Sequence, residues 1–219
     1  MYLPNADNHK GCPYVLGNHQ KLHLAPHDGR MHVMDTPTSA EQTCIVRPAE
    51  LADLDVCLAL DPSYSTEFVW QMDLQGEDSR RAVTFRTVRL PRSMRVAYPR
   101  DKSQLAAGWK RCDGFLVAAL SDSLIGYLAL SEHAAESAAW INDLVVERAH
   151  RRQGVGTALY NAASEWARSR SLRRLLIQVQ TKNYPAICFC DKLGLVFCGF
   201  NDQYYANQDI AVFFARHLR

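Results

Sequence analysis

The stretch HRRQGVGTALY, residues 150–160, sets Gly154 and Gly156 two positions apart behind His150, Arg151 and Arg152. Before it runs AWINDLVV (139–146), whose apolar and β-branched residues read as a strand. After it, Val155, Leu159, Ala162, Ala163 and Trp166 recur at helical spacing and give one apolar face to a helix over 155–170. A strand, a tight glycine turn and a helix in direct succession leave few folds open. Glycine takes positive φ and lets other groups approach the backbone closely. A helix start leaves unpaired N–H donors and the positive end of the macrodipole. Together they make a site for an anion, phosphate above all. Arg151 and Arg152 add full positive charge. The spacing is R-x-x-G-x-G, which is neither the G-x-x-x-x-G-K-[ST] of a P-loop nor the G-x-G-x-x-G of a dinucleotide fold.

The flanking pattern predicts an α/β (α+β) chain with a mixed central sheet. TCIVRPA (43–49) reads as a short strand, and Pro48 suits the start of a helix carrying Leu51, Leu54 and Leu58. EFVWQMDL (67–74) and VTFRTVRL (83–90) read as strands on either side of the turn QGEDSRR. GFLVAALSDSLIGYLAL reads as a hairpin turning at Ser121, Asp122 and Ser123. LLIQVQ (175–180) predicts a strand, 184–193 a short helix, and VFCGF and DIAVFFARHL closing strands. Residues 1–42 differ. They hold five of the eight histidines, many Pro, Gly, Asn and Asp, and little apolar periodicity. They read as a flexible extension, with 43–219 as one domain.

A net charge of +2 over 219 residues gathers no basic stripe, which argues against nucleic acid as a partner. No apolar run reaches the roughly 18 residues that a membrane span needs. Seven cysteines occur without a CxxC pair, and most lie within apolar runs. They read as free thiols, which fits a reducing cytoplasm. Cys188-x-Cys190 lacks a matching His/Cys pair at zinc-finger spacing, so no metal is expected.

The wider segment NDLVVERAHRRQGVGTALYNAASEWAR resembles the central motif of the GNAT superfamily, the acetyl-CoA-dependent N-acetyltransferases. A second motif of that family, N-x-x-A-x-x-F with a lysine and a glycine–hydrophobic pair beyond it, appears as Asn183, Ala186, Phe189, Lys192, Gly194 and Leu195. NDLVV and the run from Asn183 to Phe200 are also similar to the streptothricin-acetyltransferase-like branch. The resemblance implies a GNAT fold with two splayed parallel strands, here 141–146 and 175–180. It implies acetyl-CoA as co-substrate. Its pyrophosphate would lie on the main chain of Arg151, Arg152, Gln153, Gly154, Val155, Gly156 and Thr157. Its pantetheine arm would run along Leu144, Val145 and Val146, with an N–H near Val146 facing the thioester oxygen and Asn183 as a polar contact.

The attacking amine must be neutral, and on the central strand Asp143 is the candidate base, the alternative being that it faces away or pairs with an arginine. Glu67, Asp73, Glu77 and Asp78 are candidates to line the substrate cleft. Where the family often places a tyrosine that protonates the leaving thiolate, this chain has Cys190. A thiol there could serve as the acid or simply pack, and Tyr204 or Tyr205 could take its place. The expected reaction is acetyl transfer to a primary amine of a small molecule, antibiotic- or polyamine-like. A protein lysine or N-terminus, or a non-catalytic acetyl-CoA-binding module, are the competing readings. A homodimer is allowed.

Overall fold

The structure, a computed structural model, describes residues 21–23, 43–76, 81–100, 102–121 and 123–219. In chain order the strands are β1 (Lys21–His23), β2 (Thr43–Pro48), β3 (Tyr64–Gln75), β4 (Ala82–Val96), β5 (Gly114–Leu120), β6 (Ser123–His133), β7 (Ala138–Val146), β8 (Arg174–Gln180), β9 (Val196–Asn201) and β10 (Ala211–His217). The α-helices are α1 (Leu54–Ala59), α2 (Lys102–Trp109), α3 (Val155–Ser169) and α4 (Tyr184–Lys192). One sheet runs in the order β1-β2-β5-β6-β7-β8-β10-β9, and β3 with β4 forms a separate two-stranded sheet. The pairing of β7 with β8 is parallel and its neighbours are antiparallel, so the sheet is mixed as the pattern predicts.

Several boundaries differ from the sequence reading. Pro48 ends β2 rather than opening a helix, and a 3₁₀ turn, Leu51–Asp53, intervenes before α1. Helix α2 has no strong apolar stripe and escapes the reading altogether. The hairpin β3–β4 is longer at its base than the apolar runs suggested, because residues 64–66 continue to pair with 94–96 across a bulge. Lys21–His23, inside the stretch read as flexible, adds an edge strand to β2. The rest of residues 1–42, the histidine-rich arm included, lies outside the described residues, as do Glu77 and Asp78.

The core follows from the two periodicities. Leu159, Ala163 and Ala167 on α3 are fully buried against Leu116, Leu128 and Leu130 of the sheet. Each such Leu contributes about 1.5–3 kcal/mol relative to exposure. An isolated hairpin is marginal in water, so β3–β4 needs support. It is held by the Trp70 N–H to Thr181 O bond at 2.9 Å and by Trp70 and Phe85 packing on Phe197, Phe200 and Phe214. Among the described residues no helix is long and apolar enough to cross a membrane. No group of three or more His, Cys, Asp or Glu among them is placed to hold a metal.

Strand β6 meets β7 at Gly126, opposite Val146. A methyl at Gly126 would stand 2.8 Å from Val145 O, too close for either strand to keep its place. Gly126→Ala is therefore expected to cost about 1–3 kcal/mol. Calorimetry should show a melting temperature lower by several degrees, at roughly 2–4 °C per kcal/mol for a chain of this size. An unchanged melting temperature would mean that the two strands are free to move apart.

Candidate active site

Strands β7 and β8 pair only from Ala138↔Arg174 to Ile141↔Ile177. Beyond that, β7 runs on to Val146 beside β6, and β8 runs on to Gln180 beside β10. The cause is local. The register of β6 and β7 shifts between Ala129↔Asp143 and Leu130↔Ile141, leaving Asn142 as a bulged residue. Asn142 Nδ2 donates to Ser131 Oγ at 2.8 Å, which holds the bulge. A bulge bends and twists its strand, so β7 turns away from β8. Peptide N–H groups alternate sides along a strand. Because Glu147 N–H donates to Ile125 O at 2.8 Å, the N–H groups of Val146 and Leu144 face the gap. The main-chain groups of Val145 face Tyr127 on β6. Of the three residues expected to pair with the cofactor arm, Leu144 and Val146 present an open edge and Val145 does not.

The glycine loop lies at the end of this gap. Gly154 caps α3 with φ +91°, and Arg152 also takes a left-handed φ of +66°. These turns point successive N–H groups outward, the geometry of an anion nest. The bond from Ala158 N–H to Gly154 O at 3.0 Å opens the helix ladder, so the N–H groups ahead of it are the orphan donors of a helix start. Side chains contribute less than expected. Val155 is buried in the core, and Gln153 Nε2 donates back to Ala149 O at 2.9 Å. Arg151 is a staple rather than an open phosphate ligand. Its Nε donates to Val146 O at 2.8 Å, Nη1 to Ser63 O at 2.7 Å and Nη2 to Asp61 O at 2.9 Å. It ties the loop, the end of β7 and the root of the β3–β4 hairpin together. His150 pairs with Glu147 at 2.7 Å, outside the gap.

Helix α4 forms the opposite wall. Asn183 caps it, accepting the Ala186 N–H at 3.2 Å. Ala186, Phe189 and Lys192 follow at helical spacing and line a groove of about 330 Å³ with Leu144, Val146, Gly154, Gly156 and Thr157. Cys190 is one residue, about 100° of helix, past Phe189. It packs into the core at 1% exposure, and burial pushes its thiol up to about 12. Cys190 is thus removed as the acid: it faces the core and holds its proton too tightly. Tyr204 is also displaced from that role. Its hydroxyl donates to Gln178 Oε1 at 2.7 Å on the exposed rim, and Tyr205 is the one that lines the gap.

On the far side of the sheet the gap continues as a pocket of about 80 Å³ lined by Tyr98, Arg100, Asn142, Gln178, Gln180 and Tyr205. Leu144, Asn183, Ala186 and Phe189 belong to both the groove and this pocket, so the two meet through the parted strands. Asp143 lies beside it at 5% exposure. Its Oδ1 accepts from Tyr98 Oη at 2.6 Å and its Oδ2 from Arg100 Nη1 at 2.8 Å. Burial raises its pKa, against the opposing pull of Arg100 and the Tyr98 hydrogen bond. The expected cleft carboxylates are elsewhere: Glu67 is exposed on β3 and Asp73 pairs with Arg86 at 3.1 Å. The sequence reading singled out neither Tyr98 nor Arg100. Their one signal was Pro99 between them, which fixes the backbone.

Arg151 holds three carbonyls at once, a task its planar fork performs and a lysine cannot. Both Arg151→Lys and Arg151→Ala are expected to lower stability by about 1–3 kcal/mol, read by denaturant unfolding. Full retention of stability by the lysine variant would show that charge alone matters at this position.

Comparison with known proteins gives the same picture. The model of the acetyltransferase (GNAT) family matches residues 85–195. The streptothricin acetyltransferase of Streptomyces lavendulae is 27% identical over 173 residues, 77% of this chain and 89% of that protein. Streptothricin acetyltransferase A of Bacillus subtilis is 33% identical over 79 residues, 34% of this chain and 46% of that protein. A crystal structure of nourseothricin acetyltransferase superposes with a TM-score of 0.71 at 24% identity, covering 80% of this chain and 99% of that one. A Bacillus anthracis structure described as a streptothricin acetyltransferase in complex with acetyl coenzyme A superposes at 0.64 with 23% identity, covering 80% and 99%. With a glycine nest at a helix start, two parted parallel strands and a family match across both, the chain belongs to the GNAT acetyltransferase family and is an acetyl-CoA-dependent N-acetyltransferase.

Proposed function

We propose that the enzyme acetylates a primary amine of a small molecule of the streptothricin type, by direct attack while amine and acetyl-CoA are bound together. The observation that carries this reading is the continuity of groove and pocket through the parted strands. A carrier on one face and an amine on the other can meet there without a covalent enzyme intermediate. The pocket of about 80 Å³ suits the end of one side chain better than an extended peptide backbone. The alignment with the Streptomyces enzyme along 77% of the chain supports the same substrate class.

The residues present fit acetyl-CoA. The N–H groups at the start of α3 sit beside left-handed turns at Arg152 and Gly154, and such a nest suits a diphosphate. The N–H groups of Leu144 and Val146 would hold the arm, and Asn183 would border it. Bound acetyl-CoA supplies an acyl carbon activated as a thioester. The Val146 N–H is aimed to stabilise negative charge on the acyl oxygen. Such a donor is worth roughly 2.7–4 kcal/mol in other enzymes. An amine with a pKa of about 10.4 costs roughly 4–5 kcal/mol to neutralise at pH 7. Asp143 is the proposed base, its proton affinity raised by burial.

Three outcomes test this reading. Thiol release from acetyl-CoA should be fast with streptothricin-type amines and slow with peptides; the reverse order would favour the protein-acetylating alternative, and no release with either a binding module. Gly154→Ala must force a side chain into φ +91°, which costs about 1–2 kcal/mol. It should shrink the thermal shift given by acetyl-CoA, and an undiminished shift would detach the loop from the cofactor. Asp143→Asn should slow turnover far more at pH 7 than near pH 10, where roughly a quarter of the amine is already neutral and less of it needs a base. An equal loss at every pH would remove Asp143 as the base.

A further inference from the structure

Asp143 lies where a base is needed, yet neither oxygen opens onto the gap. One is taken by Tyr98 and the other by Arg100. Asp143 does not line the groove or the pocket; it borders a separate cavity of about 40 Å³ under α1 and α2. Tyr98, by contrast, lines both the groove and the pocket, at the place where they meet beside Leu144, Asn183 and Phe189. We propose that Tyr98 is the catalytic residue that contacts the acceptor amine, and that Asp143 is a positioning and proton-accepting residue that acts through it.

The proposal rests on the acetyl-transfer reading and completes its first step. One N–H bond of the substrate ammonium breaks, and its proton bonds to Tyr98 Oη. The electron pair of that bond stays on nitrogen as the nucleophile. In concert the Tyr98 O–H bond breaks, and that proton passes 2.6 Å to Asp143 Oδ1. The phenol is neutral before and after, while the ammonium and carboxylate charges cancel.

The surroundings favour this relay over a free tyrosinate. Burial and the neighbouring carboxylate hold the Tyr98 phenol well above its ordinary range. The groups facing the pair are Arg100 from the same linker, Tyr127 from β6, Cys112 beyond α2 and Tyr205 from the segment before β10. Burial pushes Cys112 up to about 11 and raises both tyrosines, which favours their neutral forms. Arg100 opposes the rise that burial imposes on Asp143 and so favours its charged, proton-accepting form. The arrangement also gives a chain whose α4 position carries Cys190 a tyrosine that lines the gap from a different element.

Tyr98→Phe keeps the ring and removes the proton path. Its acetyl-CoA Kd by calorimetry should stay within about twofold of wild type, with a cooperative melting transition. Its kcat/KM at pH 7 should fall by roughly 10²–10⁴, and most of that loss should vanish near pH 10. Joined with Asp143→Asn it should be no slower than the slower single variant, because groups that act as one unit are not additive. Near-normal turnover of Tyr98→Phe at pH 7 while Asp143→Asn is slow would overturn the relay and route the proton through the α1–α2 cavity. A loss equal at every pH, additive variants, or acetyl-CoA binding weakened tenfold or more would make Tyr98 a wall of the groove and also overturn it. Absence of turnover by wild type with every amine would sink the acetyl-transfer reading itself, and the relay with it.

Discussion

The parting of β7 from β8 is the constraint from which the rest of this structure follows. A buried strand edge with unpaired N–H and C=O groups is costly, so a sheet does not open without compensation. Here each side stays anchored to its outer neighbour, β7 to β6 and β8 to β10. The bulge at Asn142 supplies the bend. The opened edge is then a template for one more extended chain, the logic of strand addition, and a thioester arm fits that template. The glycine loop extends the same principle past the strand's end. Its N–H groups are freed by left-handed turns at Arg152 and Gly154 instead of by a missing strand.

Opening the sheet also creates a stability problem, and Arg151 addresses it. The end of β7 has lost its parallel partner, but Val146 O is held by the Arg151 guanidinium. The same fork grips Asp61 and Ser63, just before β3 begins. Arg95, near the end of β4, reaches Asp61 as well, at 3.0 Å. The long hairpin is therefore fastened to the glycine loop at its root and to the aromatic cluster of β9 and β10 along its length. Charge that the sequence seemed to offer to an external anion is spent on internal carbonyls, and the exposed Arg152 is left with its side chain at the surface of the loop.

The strand–glycine–helix succession was legible because its signals are local. Period 2 in AWINDLVV, two glycines and period 3.6 from Val155 to Trp166 lie within thirty residues of one another. The α4 motif was legible for the same reason, but the phase of that helix was not. Nothing in N-x-x-A-x-x-F-C states that the face of Phe189 turns to the groove and that of Cys190 to the core; tertiary packing, which buries Cys190 in the core cluster, decides it. Tyr98 and Arg100 were missed because their role depends on contact across more than forty residues with Asp143. Local spacing carries no trace of such a contact. The bulge at Asn142 was likewise invisible, since it arises from register with β6 rather than from any glycine or proline in β7.

The electrostatics of the far pocket narrow what kind of selectivity it can exert. Asp143 is matched by Arg100, and Asp209 by Lys182 and Gln180. Beside Arg100, the polar residues that line the gap are neutral: Asn142, Gln178, Gln180, Asn183, Tyr98 and Tyr205. Neither Asp143 nor Asp209 lines the pocket and both are already paired, so the lining offers a polycation no free carboxylate. It discriminates instead by hydrogen bonds, and buried donors or acceptors left unpaired by a wrong substrate penalise it by about 1–3 kcal/mol each. Recognition by neutral groups also suits the chemistry. An excess of free carboxylates would hold the amine as ammonium, and attack on the acyl carbon requires that the proton leave.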